Sequence, residues 1–223
     1  MKLFTTIAAA GLAATAIALS SGSAESTPAP VPGAFEVTIT NITRGQIFAP
    51  ALVATHNLSG SVFTAGGTAS PELAALAEDG DTSLLAAMLG SDANVFDVQQ
   101  GAGMIHPGQS ETILISTDTA HPLVSVAGML VTTNDTFYGL DGELLPLRHG
   151  QALVPAWDAG TEANSEDCAF TPGPPCGNGG VHDPAPAEGF IHISSGITGK
   201  GDVAADAYDW RNPVAKVSIQ RVM

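Results

Sequence analysis

The chain has 223 residues, with 22 Asp and Glu against seven Lys and Arg and a formal charge of −15. So acidic a chain repels phosphate backbones and anionic lipid head groups, which excludes nucleic acid as a partner and leaves hard divalent cations, calcium above all, as the natural counter-charge. Hydrophobic residues make up 44% of the chain, enough for a folded core.

The opening segment, MKLFTTIAAAGLAATAIALSSGSA (1–24), carries one Lys, an uncharged and mostly apolar run from Leu3 to Leu19, and small residues up to Ala24. That layout predicts a secretory signal peptide cleaved around Ala24, and the run is too short and too early for a permanent membrane span. The mature protein is expected to be soluble and exported, either to a periplasm or cell surface or to the extracellular space, with no stable membrane insertion. It would be one unit more negative than the whole chain, because Lys2 leaves and no acid does. ESTPAPVPG (25–33) follows as an extended Pro-rich linker. The roughly 200 residues of mature chain suffice for one sizeable core, so a single domain is expected over 34–223.

Eight apolar segments rich in β-branched residues come next: FEVTITNI (35–42), QIFAPALVAT (46–55), NVFDVQQ (94–100), ETILIST (111–117), LVSVAGMLV (123–131), QALVPAW (151–157), GFIHISSGI (189–197) and VAKVSIQRV (214–222). FEVTIT and VAKVSIQRV alternate apolar with polar, the period of strands with one buried face. HPGQS, GLDGE and RHG read as turns between them. The pattern predicts an all-β domain, an antiparallel β-sandwich of about eight strands. The exception is ASPELAALAEDGDTSLLAAMLG (69–90), where Ser70 caps a helix opening with Pro71, Gly80 breaks it, and Asp81 caps a second. A short helical insertion over about residues 70–90 is expected.

Carboxylates gather in two stretches. The first is VTTNDTFYGLDGE (131–143), with Asp135 after a strand and Asp141-Gly142 as a turn. The second is PAWDAGTEANSED (155–167), where Asp158 and Glu162 flank Ala-Gly-Thr. The span between Asp135 and Asp158 fits one strand out and one back, so both can return to the same end of a sandwich. Gly160 lets the chain curl so that Asp158 and Glu162 face one ion. Calcium takes six to eight oxygens, two or three of them from carboxylates, and two adjacent loops can supply them. Residue types alone leave three readings open: a solvated acidic loop, a calcium site, or a carboxylate pair for glycoside hydrolysis.

Cys168 and Cys176 enclose AFTPGPP, and in an exported chain this spacing predicts a disulfide. Zinc ligation by the pair with His182 is the lesser alternative, because structural zinc sites use shorter cysteine spacings. Of the six histidines, His182 and His192 are the best candidates for a transition-metal centre. No Gly-rich phosphate loop, G-x-S-x-G elbow, H-E-x-x-H or EF-hand loop occurs, and no enzyme is expected.

TNDTFYGLDG followed by PAWDAGTE resembles the paired signature of the spondin domain, the N-terminal module of F-spondin and mindin, which also occurs alone in exported bacterial proteins. In the animal proteins the motifs read approximately S-P-D-W-F-V-G and W-D-A-G-T-D. FEVTITNITRGQIFAPALVATHN, CAFTPGPPCGNGG and GFIHISSGI resemble the bacterial single-domain branch, so the similarity spans about residues 34–222. The resemblance implies an antiparallel sandwich with a calcium ion at one end, ligated by Asp135, Asp158 and Glu162. Glu162 stands where the family has Asp, one methylene longer, and calcium accepts either. Thr136 replaces the Trp of the first motif. Glu166 and Asp167 fall outside the matched positions and are expected to be solvated. The expected function is an adhesion or binding module for an extracellular protein or glycan. The alternatives are a transition-metal enzyme using His182 and His192, or a purely structural secreted domain.

Overall fold

The computed structural model describes residues 32–222. The signal peptide expected at 1–24, and the linker up to residue 31, lie outside them.

Among the described residues, ten strands form two antiparallel sheets. One contains β1 (Gly33–Asn41), β4 (Ser110–Thr117), β7 (His149–Val154) and β10 (Ala215–Arg221), in the order β4-β1-β10-β7. The other contains β2 (Leu52–His56), β3 (Val95–Gln100), β5 (Leu123–Met129), β6 (Thr136–Leu144), β8 (Ala156–Asp158) and β9 (His192–Ile193), in the order β3-β2-β5-β6-β8-β9. The all-β sandwich read from the sequence is the observed fold.

The alternating strands behave as their period dictates. Phe35, Val37 and Ile39 of β1 point into the core, and the register sets Val37 opposite both Ile219 of β10 and Ile113 of β4. These side chains pack against Val124 and Val126 from the second sheet. β2 and β5 do not alternate, because their sheet is covered on both faces. On its outer side Leu52, Ala54, Ala127 and Phe137 meet Leu73, Leu76, Leu85 and Leu89 of two helices. The insertion at 70–90 is thus a third layer, and each fully buried leucine contributes about 1.5–3 kcal/mol.

Those helices are α1 (Pro71–Asp79) and α2 (Ser83–Gly90). Ser70 Oγ accepts the Leu73 N–H at 3.1 Å, and Gly80 ends α1 in the left-handed region at φ 69°. At α2 the cap differs from expectation. Thr82 occupies the N-cap position and spends its hydroxyl on Gln100 Oε1, while Asp81 Oδ1 accepts the Ser83 N–H from one residue further out.

Two segments depart further from the sequence reading. TFYGLDGEL is strand β6, and Asp141-Gly142 lies inside it as a bulge. The register slips between Val124 and Val126, Gly142 takes φ 71°, and its N–H donates to Ser125 Oγ at 2.9 Å. A glycine signal that marks a turn marks a strand bulge equally well. QALVPAW is divided at Pro155, which has no N–H to give a ladder, and the chain crosses there from β7 in one sheet to β8 in the other.

Candidate metal centre

Strands β6 and β8 pair with Thr136 opposite Asp158. Asp135 precedes β6 by one residue and Asp158 ends β8, so the two carboxylates stand side by side at one end of the six-stranded sheet. The Ala159 N–H donates to the Asp135 carbonyl at 3.1 Å, and the 159–162 turn then wraps the Asp135 side chain. Asp135 Oδ2 accepts the N–H groups of Thr161 at 2.8 Å and Glu162 at 3.0 Å. Asp135 Oδ1 is buried and has no hydrogen-bond partner among the described residues.

Gly160 makes this turn possible. Its φ is 66°, and a Cβ there would come within 2.3 Å of the Phe190 carbonyl oxygen. Its N–H donates to Asp158 Oδ1 at 2.9 Å, Asn164 Nδ2 donates to Asp158 Oδ2 at 2.6 Å, and His192 Nε2 lies 3.5 Å from Oδ1.

Glu162 is joined to Asp135 through its backbone, while its carboxylate reaches elsewhere. Oε1 accepts the Asp183 N–H, and Oε2 lies 3.8 Å from His182 Nδ1. Among the described residues, two groups of three bring their ligand atoms within 4.8 Å of one another: Glu78, Glu162 and His182, and Asp158, Glu188 and His192. Asp158 and Glu162 therefore belong to different groups, Asp135 lies in neither, and the two histidines are separated. Glu78, Asp79 and Glu188 were not singled out from the sequence. The one signal for the first two was an acidic pair ending α1 with no basic residue in its last turn, against the helix dipole.

The electrostatics are those of buried like charges. Burial, with the adjacent Asp158 charge added, pushes Asp135 up to about 7, against the N–H groups of Glu162 and Thr161. Burial also raises Asp158, opposed by Asn164, Gly160 and His192. Glu162 is raised by burial as well, opposed first by the Asp183 N–H. Among the described residues, the Lys/Arg–carboxylate ion pair is Arg211–Asp209, which involves none of the three.

Glu166, expected in solvent, is 4% exposed. Its carboxylate accepts the Thr198 N–H and hydroxyl at 2.7 Å each, the Gly199 N–H at 2.7 Å and the Lys200 N–H at 3.0 Å. Burial pushes its pKa up, but these four donors outweigh burial and hold it below the ordinary glutamate value. Asp167 is exposed, as expected, and its Oδ1 accepts the Ala169 N–H at the short 3-10 turn Cys168–Phe170. Cys168 and Cys176 form the expected disulfide.

An antiparallel β-sandwich with an acidic loop end fastened beside a disulfide is the class of protein these features define. Its signature residues fall within a recognised family. The chain belongs to the Spondin_N family, whose model matches residues 40–168 and so includes Asp135, Asp158 and Glu162. No curated protein sequence matches the chain. Family and disulfide together point to an extracellular, secreted module. Among the described residues, no helix is long and apolar enough to cross a membrane.

Proposed function

We propose that this chain is an exported, calcium-binding β-sandwich that acts as an adhesion or ligand-binding module for an extracellular protein or glycan, and not as an enzyme. The observation that carries the reading is Asp135 Oδ1, buried without a partner beside a second buried carboxylate. Burial and the adjacent carboxylate disfavour the Asp135 charge despite the two N–H donors on Oδ2, and a hard dication would supply the missing compensation. Asp135 and Asp158 are the carboxylates that would hold it, while Glu162, the third carboxylate of the family signature, is tied to Asp135 by its N–H and turns its side chain toward His182. Backbone carbonyls and water would complete a shell of about six to eight oxygens. The ion would fix the 159–167 segment, and a loop end held in one geometry loses less entropy on meeting a partner.

A transition-metal enzyme built on His182 and His192 together has less support, since the two imidazoles lie in separate groups. Calorimetric titration of the chelator-treated protein with calcium is expected to give one equivalent, and Asp158→Asn is expected to abolish the calcium-dependent rise in melting temperature. No calcium uptake by the wild type, with melting unchanged in excess chelator, would leave a purely structural domain.

A further inference from the structure

Beyond the calcium reading, we propose a second cation site of zinc type at the C-terminal end of α1, formed by Glu78, His182 and Glu162, with Asp79 orienting the imidazole. The inference does not depend on calcium, and Glu162 joins the two sites, by its N–H to one and its carboxylate to the other.

The geometry can accommodate a metal-bound histidine. His182 Nδ1 faces two carboxylate oxygens, Glu78 Oε2 at 2.8 Å and Glu162 Oε2 at 3.8 Å. Ligands about 2.0–2.1 Å from a tetrahedral zinc lie about 3.3 Å from one another, so these separations bracket the required value. The opposite ring nitrogen, Nε2, lies 3.4 Å from Asp79 Oδ2. A carboxylate behind the imidazole fixes its tautomer and raises its basicity as a ligand. Asp79 is itself held, because its Oδ1 accepts the Gly180 N–H at 2.9 Å.

The charge balance points the same way. Glu78, Asp79 and Glu162 surround one imidazole, so even a protonated His182 leaves two negative charges uncompensated. They sit where the α1 dipole is also negative, and the last turn of the helix contains no basic residue. A dication satisfies both demands. An imidazole among its ligands favours zinc or a neighbouring transition metal over calcium, which takes oxygen. The His182 side chain is 43% exposed, which leaves the metal open to water or an outside ligand in a fourth position.

The test is calorimetric titration of the calcium-saturated protein with zinc, with cobalt as a visible-absorbance probe of the same site. The wild type is expected to take up one equivalent of zinc beyond its calcium. His182→Gln is expected to lose that zinc while retaining its calcium, and Asp79→Asn to weaken zinc by about 10- to 100-fold. No zinc uptake by the wild type, zinc uptake that survives His182→Gln, or loss of both metals together in His182→Gln would each overturn a separate site. A wild type that takes zinc but no calcium would refute the calcium reading and leave this one standing.

Discussion

The carboxylate of Asp135 accepts the backbone N–H of Glu162 at 3.0 Å, while the carboxylate of Glu162 turns away toward His182. One residue is thereby attached to the calcium candidate by its main chain and offers its side chain to a second cluster. The loop is organised around Asp135 before any ion is considered, because two N–H groups already converge on Oδ2 and leave Oδ1 free.

Asp135→Asn is therefore expected to act in opposite directions with and without calcium. In chelator it removes a buried like charge, and the melting temperature is expected to rise by a few degrees. In calcium at 100 times its Kd, the wild type is expected to gain about 2.7 kcal/mol, or roughly 5–10 °C, and the variant none of it. Differential scanning calorimetry of both proteins in both conditions checks the crossing.

The chelator-treated protein should lose stability as pH rises toward neutrality. Asp135 has a folded-state pKa near 7, above its unfolded value near 4, so the folded state binds this proton more tightly. Its contribution is fully present below about pH 4 and is lost as pH rises through about 7. Urea midpoints at pH 5.5 and 7.5 are expected to favour the lower pH in chelator, and saturating calcium is expected to remove or reverse the difference.

Glu166 carries the opposite sign. Its folded pKa lies below the unfolded value near 4.3, so its stabilisation is present above that value and is lost as pH falls through the folded pKa. Glu166→Gln keeps the shape but turns one acceptor oxygen into an NH2 donor, so at least one backbone N–H loses its acceptor and the remaining bonds lose the charge, at a cost of at least about 2 kcal/mol. Hydrogen exchange at Thr198, Gly199 and Lys200 is expected to accelerate, with the β1 amides little changed.

Gly160→Ala is expected to cost at least about 2 kcal/mol, from the strained positive φ and the approach of the new methyl to Phe190. Calcium affinity is expected to fall with it, although no ligand has been changed, because this turn aims Asp158 and the two N–H donors to Asp135. Melting and calcium titration of the same sample separate the two effects.

Much of this protein is written locally. The alternation of Phe35, Val37 and Ile39, the cap at Ser70, the break at Gly80, the turn at Gly160 and the Cys168–Cys176 pair each depend on residues close together in the chain, and local periodicity and turn chemistry suffice for them. The return of Asp135 and Asp158 to one end of the sandwich was legible for the same reason. The strand character of TFYGLDGEL was not, because its bulge is defined by the partner strand it slips against. Neither was the role of Glu166, whose donors come from 198–200, nor the meeting of Glu78 and Asp79 with His182, which joins the end of a helix to a distant loop. Those relationships are set by how layers pack. The sequence determined most of the elements and which loops are acidic. The tertiary structure alone decided which carboxylates share a neighbour, because only packing fixes distances between side chains far apart along the chain.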